Sequence, residues 1–325
     1  MKSKSKTLLI IGGTGFFGNS ILSYFSNSKI LKKKFNKIII ISRKKSATFR
    51  YTEKLKKNYI LIKINCDVLK LKKLPNADYV IYAAILKNYR DDFLAVKKYL
   101  KLAKIYHRNS KILYTSSGAV YGRQPNKIKG FRENHFKYYK KISFTKGYKK
   151  SYANFKLKSE KLFQKLGNDG FNVSIARCFS FVGEHLPLNS HYVVGNIIKN
   201  ILNNEKINIK ENYKILRSYM YSDDLVKYLL KILEKSNTLC PTYNVGSDDM
   251  ISIHSLAAVL GKKYKLKLNL KKIQKKFIDK YIPNIKKAEK NLNLVKRISS
   301  LSAIVKTISL IKKNKLFPPI SILKN

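Results

Sequence analysis

The chain has 325 residues, 44% of them apolar, which is enough for one large or two modest domains with a real core and argues against disorder. Lys and Arg number 69 against 18 Asp and Glu, a formal net charge of +51, so a partner met through bulk charge would be an anion. No apolar run approaches the ~20 residues of a membrane span, and the run behind Lys2, Lys4 and Lys6 is too short for a signal peptide. The three cysteines, at 66, 178 and 240, form no C-x-x-C, which fits a reduced, cytoplasmic protein without disulfides or a zinc site. The lysines are spread along the whole chain and arginine, the better phosphate fork, is scarce. The charge therefore reads as compositional drift, and no specific nucleic-acid partner is expected.

The first element is a buried strand, Leu8–Ile11, running into glycines at 12, 13, 15 and 18 and then into a helix with Ile21, Leu22 and Phe25 on one face. In this spacing Gly12 permits the sharp turn off the strand, Gly15 lets backbone approach a diphosphate, and Gly18 lets the helix pack close to the strand. Further strands are predicted at Lys37–Ile41, Tyr59–Ile64, Tyr79–Ala83, Lys111–Thr115 and Val173–Ala176. Helical spacing covers Asp92–Tyr106 and Ser151–Leu166. Short apolar strands alternating with helices predict an α/β fold, a doubly wound parallel sheet of the Rossmann type. Residues 123–150 break the alternation and read as a long surface loop over the sheet's carboxyl edge. Beyond Arg177 short helices at 193–203, 222–235, 253–262 and about 301–312 predict a smaller C-terminal α/β subdomain. The expected organisation is 1–178 as dinucleotide-binding domain, with 215–235 returning to it, and 179–325 mainly as substrate-binding subdomain.

Tyr152 and Lys156 stand four apart in a helix and so share one face. A tyrosine hydroxyl titrates near pH ~10, and a neighbouring ammonium favours the phenolate, which makes Tyr152 a candidate acid/base. Thr115-Ser116-Ser117-Gly118 lies at the carboxyl end of a strand, where open sheets place ligands. The histidines, 107, 135, 185, 191 and 254, show no metal spacing, and no metal is expected.

Taken together, the chain resembles the extended short-chain dehydrogenase/reductases, and within them the NAD(P)-dependent nucleotide-sugar epimerase/dehydratase group. The matching stretches are GGTGFFG at 12–18, Cys66-Asp67-Val68, YTSSGAVYG at 114–122, Tyr152-x-x-x-Lys156-x-x-x-Glu160, RSYMYSDDLV at 217–226, TYNVGSDDMISI at 242–253, and Tyr281-Ile-Pro-Asn with the helix after it. The resemblance spans roughly residues 7–312. It implies Ser117 as catalytic serine, Tyr152 as acid/base, and Lys156 as the residue that bonds the nicotinamide ribose and lowers the tyrosine pKa. It implies cofactor contacts along Gly12, Thr14, Gly15, Phe16, Phe17, Gly18, Ser42, Arg43, Asp67, Val68 and Ala83, with Asp67 and Val68 at the adenine. Arg217 matches the arginine that grips the substrate diphosphate, with Ser117 also on the substrate. A homodimer and a nucleotide-diphospho-sugar substrate are the implied partners. Asp223 and Asp224 are expected to act at a helix N-terminus.

Three departures refine these expectations. The family's NAD-using members carry an acid at the end of the second strand, whereas here it reads Ser42-Arg43-Lys44-Lys45, a basic run that leans the NAD(P) choice toward NADP. The sugar dehydratases follow the serine or threonine with Asp-Glu, whereas here Gly118-Ala119 follow, which points away from elimination of water. Ser180 stands where the family often has Asn. The expected activity is hydride transfer at a sugar carbon, as epimerase or ketoreductase; the alternative is a non-catalytic or RNA-binding member of the same fold, which need not keep Ser117, Tyr152 and Lys156 together.

Overall fold

A computed structural model describes residues 5–43, 51–86, 88–135, 148–188, 192–295 and 298–314. Lys44, Lys45, His191 and residues 136–147 of the expected loop lie outside the described residues.

The first half alternates as its apolar runs predict. In chain order come β1 (Lys6–Ile11), α1 (Phe16–Asn27), α2 (Lys29–Lys34), β2 (Phe35–Ser42), α3 (Thr52–Lys56), β3 (Ile60–Asn65), β4 (Tyr79–Tyr82), α4 (Tyr89–Tyr106), β5 (Lys111–Ser117), α5 (Tyr148–Asn168) and β6 (Asn172–Cys178). The second half follows with β7 (Phe181–Val182), α6 (Val193–Leu202), β8 (Ile207–Ile209), β9 (Tyr213–Ser218), β10 (Met220–Tyr221), α7 (Ser222–Glu234), β11 (Thr242–Val245), β12 (Met250–Ser252), α8 (Ile253–Tyr264), β13 (Leu268–Leu270), β14 (Lys275–Tyr281), α9 (Lys286–Leu292) and α10 (Ser300–Lys313). Seven strands form one sheet in the order β11-β6-β5-β4-β1-β2-β3, with every neighbouring pair parallel.

A parallel sheet is covered on both faces, so its inner strands must be apolar on both. Leu8, Ile10, Ile38, Ile40 and Leu113 pack on one side with Ile21 and Phe25 of α1 and Leu225 and Leu229 of α7. Leu9, Ile11, Ile39, Ile41 and Tyr114 pack on the other with Val96 and Tyr99 of α4 and Phe155 and Phe163 of α5. At the edge strand β3 this cover thins, and Ile60 is 59% exposed.

The second half has a core of its own, where Ile197, Ile198, Leu256, Leu260, Ile304 and Ile308 surround short strands. β9 lies at its centre, antiparallel to β12 and parallel to β14. The return to the large sheet differs in extent from the expected 215–235. Tyr213–Ser218 stays in the small sheet, the return begins at Met220 and continues through α7, and β11 and α9 come back as well. A four-residue strand such as Thr242–Val245 is too short to carry a periodic signal of its own.

Residues 123–135 are a loop, as expected, with Arg123, Asn126, Lys127 and Lys129 exposed, but buried side chains anchor it in the core. Gln124 is buried and donates through Nε2 to the carbonyls of Ile128 and Lys129 at 3.1 and 3.3 Å, while its Oε1 accepts from the Ile282 amide at 2.7 Å. Phe131 is fully buried and pairs through its backbone with Pro283. Polar composition signalled exposure, but the side-chain amide of Gln124 supplies the hydrogen bonds that burial demands.

Candidate active site

The glycine turn can be read atom by atom. Gly12 has φ +94°, and a Cβ on it would lie 2.6 Å from the Ala84 backbone. A Cβ on Gly18 would lie 2.3 Å from Gly13 Cα, so glycine sets how closely α1 approaches β1. Gly15 differs: a Cβ there would meet nothing nearer than the Gly12 carbonyl at 3.6 Å. The space in front of it is open. Gly15 caps α1 without a side-chain hydrogen bond, and the first-turn amides of a helix have no partner within it. This is a cradle that fits an anion, with backbone N–H groups and the positive end of a helix facing it. Asn19, which the sequence reading did not single out, braces the turn by donating through Nδ2 to the carbonyls of Thr14 and Gly15 at 3.0 and 3.2 Å. Phe17 packs edge-on against Phe181 at 5.5 Å, and Phe16 lies beside it at 5.9 Å.

From the cradle the ends of the neighbouring strands extend in both directions. Ala83 leaves β4 bonded through its amide to the Ile11 carbonyl at 2.8 Å. On the other side the Ser42 carbonyl accepts from the Cys66 amide at 2.9 Å, which brings Asp67 and Val68 beside the end of β2. Asp67 accepts from the Leu69 amide at 2.9 Å and caps a short 3-10 turn, and the Val68 side chain is buried in the core. Arg43 donates to the Ile85 carbonyl at 3.3 Å, from the end of β2 to the loop after β4.

β5 delivers Ser117 at its carboxyl end. The Oγ accepts from the Ala119 amide at 3.2 Å and is nearly buried. α5 runs alongside and presents Tyr152 and Lys156 one turn apart. The Lys156 ammonium donates to the Thr115 carbonyl at 2.8 Å, two residues before Ser117. It lies 4.9 Å from the Tyr114 ring centroid and 5.9 Å from that of Tyr152. Burial pushes its pKa down to about 8, against the pull of Asp92, Cys178 and Glu160. The ammonium is therefore lost as pH rises through that value.

Tyr281, at the end of β14, links this edge to Arg217. Its hydroxyl is beside the Ser117 side chain and within the electrostatic reach of Tyr152 and Arg217, while burial raises its pKa. It stands in register with Arg217 of β9 and packs on Phe179 at 4.8 Å. Tyr281 thus joins Ser117 at one end to Arg217 on the neighbouring strand. Arg217 donates to Asp279 Oδ2 at 2.8 Å and to the carbonyls of Asp279 and Leu216, each at 2.9 Å. Tyr281 and Asp279 had no signal as site residues in the sequence, because strand register across β9 and β14 places them there.

Behind the edge lies a buried polar network. Glu160 accepts from Nε and Nη2 along one edge of Arg177 at 3.0 and 2.7 Å and from Ser116 at 2.5 Å. Arg177 continues to the Tyr121 hydroxyl at 2.9 Å, and Tyr121 to Asn244 at 2.8 Å. The motif extension to Glu160 hinted at this; the partners Arg177, Tyr121 and Asn244 come from three separate segments. Asp223 and Asp224 lie in the first turn of α7, and Asp224 accepts from Lys227 at 3.0 Å. Among the described residues no group of three or more His, Cys, Asp or Glu could hold a metal ion, and no helix is long and apolar enough to cross a membrane.

The chain is similar throughout its length to solved nucleotide-sugar enzymes. The UDP-glucose 4-epimerase of Thermotoga maritima, solved with UDP-glucose, superposes with a TM-score of 0.74 at 18% identity, over 95% of this chain and 99% of that one. The dTDP-glucose 4,6-dehydratase of Bacillus anthracis, in complex with NAD, gives 0.76 at 15% identity over 96% and 98%. The UDP-N-acetylglucosamine 4-epimerase of Methanobrevibacter ruminantium, in complex with UDP-N-acetylmuramic acid, gives 0.72 at 21% over 96% and 99%. At these identities the likeness shows the fold. A search among curated proteins finds no match. The family described as NAD dependent epimerase/dehydratase matches residues 8–246, the stretch that holds the glycine cradle, Ser117, Tyr152, Lys156 and Arg217, and the chain belongs to that family.

Proposed function

We propose that the protein transfers hydride at a sugar carbon of a nucleotide-diphospho-sugar, as epimerase or ketoreductase, without expelling water. Gly12, Thr14, Gly15, Phe16, Phe17 and Gly18 would hold the cofactor diphosphate, with Asp67 and Val68 at its adenine end. The nicotinamide, when bound, accepts and returns hydride. The chain supplies the proton chemistry. Tyr152 moves a proton at the sugar oxygen, Lys156 stabilises its phenolate, and Ser117 donates a hydrogen bond to the same oxygen. Arg217 holds the diphosphate from the far side of Tyr281, and residues 179–325 form most of the sugar-nucleotide pocket.

The observation that carries the choice of reaction is at Gly118. A Cβ there would lie 2.6 Å from the Phe179 ring, so a side chain after Ser117 would require that ring to shift. Elimination needs an acid and a base on the neighbouring carbons as well as the pair at the reacting one. Gly118 and Ala119 supply no such second pair, which supports proton transfer coupled to hydride without elimination. Incubation with a panel of nucleotide sugars and NAD(H) or NADP(H), read by product mass against cofactor consumption, tests this. Unchanged mass without net cofactor use marks an epimerase. A gain of two hydrogens with equal loss of reduced cofactor marks a reductase. A product lighter by one water overturns the reading, and turnover of none of the sugars favours the non-catalytic alternative.

Arg43 carries the lean toward NADP. Arg43→Ala is expected to weaken NADP binding by up to a few kcal/mol, the scale of charge-assisted hydrogen bonds (about 1.5–3 kcal/mol), and to spare NAD. Titration calorimetry of both cofactors checks it; equal affinity in the parent protein overturns it.

A further inference from the structure

One stretch of chain forms the outer edge of two small sheets. β13 pairs with β8 in a two-stranded sheet, and β14 lies at the end of the three-stranded sheet it shares with β9. Between them the Lys271 amide donates to the Ile209 carbonyl at 3.0 Å and the Gln274 amide to the Asn212 carbonyl at 2.9 Å. The bend from β13 to β14 is thus tied along one side, and residues 271–277 are all exposed.

This edge is far more basic than the chain as a whole. Eight of the sixteen residues 262–277 are lysine and none is acidic, against 69 Lys and Arg in all 325 residues. All eight are exposed. None of them has an ion pair among the described residues, and Glu205 and Glu211, on the segment that β13 and β14 lie beside, bond to none of them.

Lysines on a free strand edge guard it against pairing with another strand, and Lys262 and Lys263 in the last turn of α8 suit the helix dipole. Neither role accounts for the carbon between the charges. Ile273 is 43% exposed at the bend, flanked by the pairs Lys271-Lys272 and Lys275-Lys276, and Leu268 of β13 is 40% exposed. Single-stranded nucleic acid is met by arginine planes and open aromatic faces. Residues 262–277 hold no arginine. Their two aromatic rings are already engaged: Phe277 by Tyr213 at 5.1 Å and by the Arg123 guanidinium at 4.2 Å, and Tyr264 by the Lys312 ammonium at 5.2 Å. Ammonium groups with aliphatic side chains between them suit an anionic bilayer, where headgroup phosphates take the charge and the acyl boundary takes the carbon.

We propose that residues 262–277 are a docking surface for an anionic lipid bilayer, with the lysines on the headgroups and Ile273 seated among them. The surface is independent of the reaction assigned to the site.

The test is sedimentation of the full-length protein with vesicles of phosphatidylcholine alone or with about one third phosphatidylglycerol, at ~0.15 M salt, where the Debye length is about 8 Å. Binding to the mixed vesicles and not to the neutral ones is expected. Charge reversal of Lys271, Lys272, Lys275 and Lys276 to Glu is expected to weaken that binding by at least ~100-fold. Reversal of four exposed lysines elsewhere, Lys32, Lys33, Lys72 and Lys73, changes the net charge equally and is expected to weaken it only a few-fold. Ile273→Ser removes no charge and is expected to weaken it roughly 10-fold. All these side chains are exposed, so the thermal midpoints should stay near the parent's; if the variant reversed at the bend does not fold, Ile273→Ser decides. No binding to mixed vesicles, an equal loss in the two charge-reversed variants, or an unmoved Ile273→Ser overturns the proposal. A single-stranded RNA oligomer bound at the same salt through the lysines of the bend, with no vesicle binding, overturns it in favour of nucleic acid.

Discussion

Two arginine–carboxylate pairs stand at opposite sides of the candidate site, and their surroundings differ. Behind it, Arg177 and Glu160 are only 6% and 3% exposed in their side chains, and their polar atoms are shared with Ser116, Tyr121 and the Glu133 carbonyl. At its mouth, Arg217 and Asp279 are 22% and 30% exposed, and the arginine's remaining bonds go to two carbonyls. A closed pair is part of the fold, since losing either partner strands a buried charge. A half-open pair is screened by water and contributes little to stability. The same kind of ion pair is thus closed in one place and partly open to water in the other, and burial makes the difference.

The strongest way to break this contrast is at the closed pair. Glu160→Ala is expected to destabilise the protein by about 3–5 kcal/mol, because Arg177 is left buried without its carboxylate. Urea denaturation checks this; a loss under ~1 kcal/mol would remove the distinction between the two pairs. Tyr152→Phe, in front of that network, should leave stability and cofactor binding intact and lower kcat by ~10²–10⁴-fold. Single-turnover kinetics beside a cofactor titration would show it, and activity within a few-fold of the parent would take Tyr152 out of the mechanism.

At the open pair the expected balance is reversed. Arg217→Ala should change stability by less than ~1 kcal/mol and weaken nucleotide-sugar binding roughly 10- to 100-fold, the equivalent of a charge-assisted hydrogen bond. Calorimetric titration with the nucleotide diphosphate alone separates this from any effect on chemistry. The glycine turn repeats the contrast on a smaller scale. Gly18→Ala, whose Cβ would lie 2.3 Å from Gly13 Cα, should cost about 1–3 kcal/mol of stability. Gly15→Ala, whose Cβ would face open space, should leave the thermal midpoint nearly unchanged and weaken cofactor binding. Equal thermal losses in the two variants would mean that the cradle is not open.

Much of the large sheet was legible in the chain because its inner strands are buried on both faces and so read as continuous apolar runs, Leu8–Ile11 and Ile38–Ile41 above all. The glycine turn was legible because steric limits act locally: a positive φ at Gly12 and a close approach at Gly18 each need a missing side chain. Tyr152 and Lys156 share a face by helical period alone. The small sheets were not legible. β7, β10 and β12 have two or three residues each, too few for a period, and their partners lie far along the chain.

The chain's own order of residues determined a doubly wound sheet, a diphosphate-shaped turn at its first crossing, and a tyrosine and a lysine one helical turn apart, since all of these follow from neighbours within about ten residues. Tertiary structure alone decided the setting of those groups. It brought Tyr89 of α4 against Tyr152, placed Phe179 against Gly118, put Tyr281 beside Ser117 and in register with Arg217, and closed Glu160 onto Arg177. Each of these depends on strand register or helix packing between distant segments, and such packing keeps water from Lys156 and Glu160 and sets the Phe179 ring where a Cβ on Gly118 would lie.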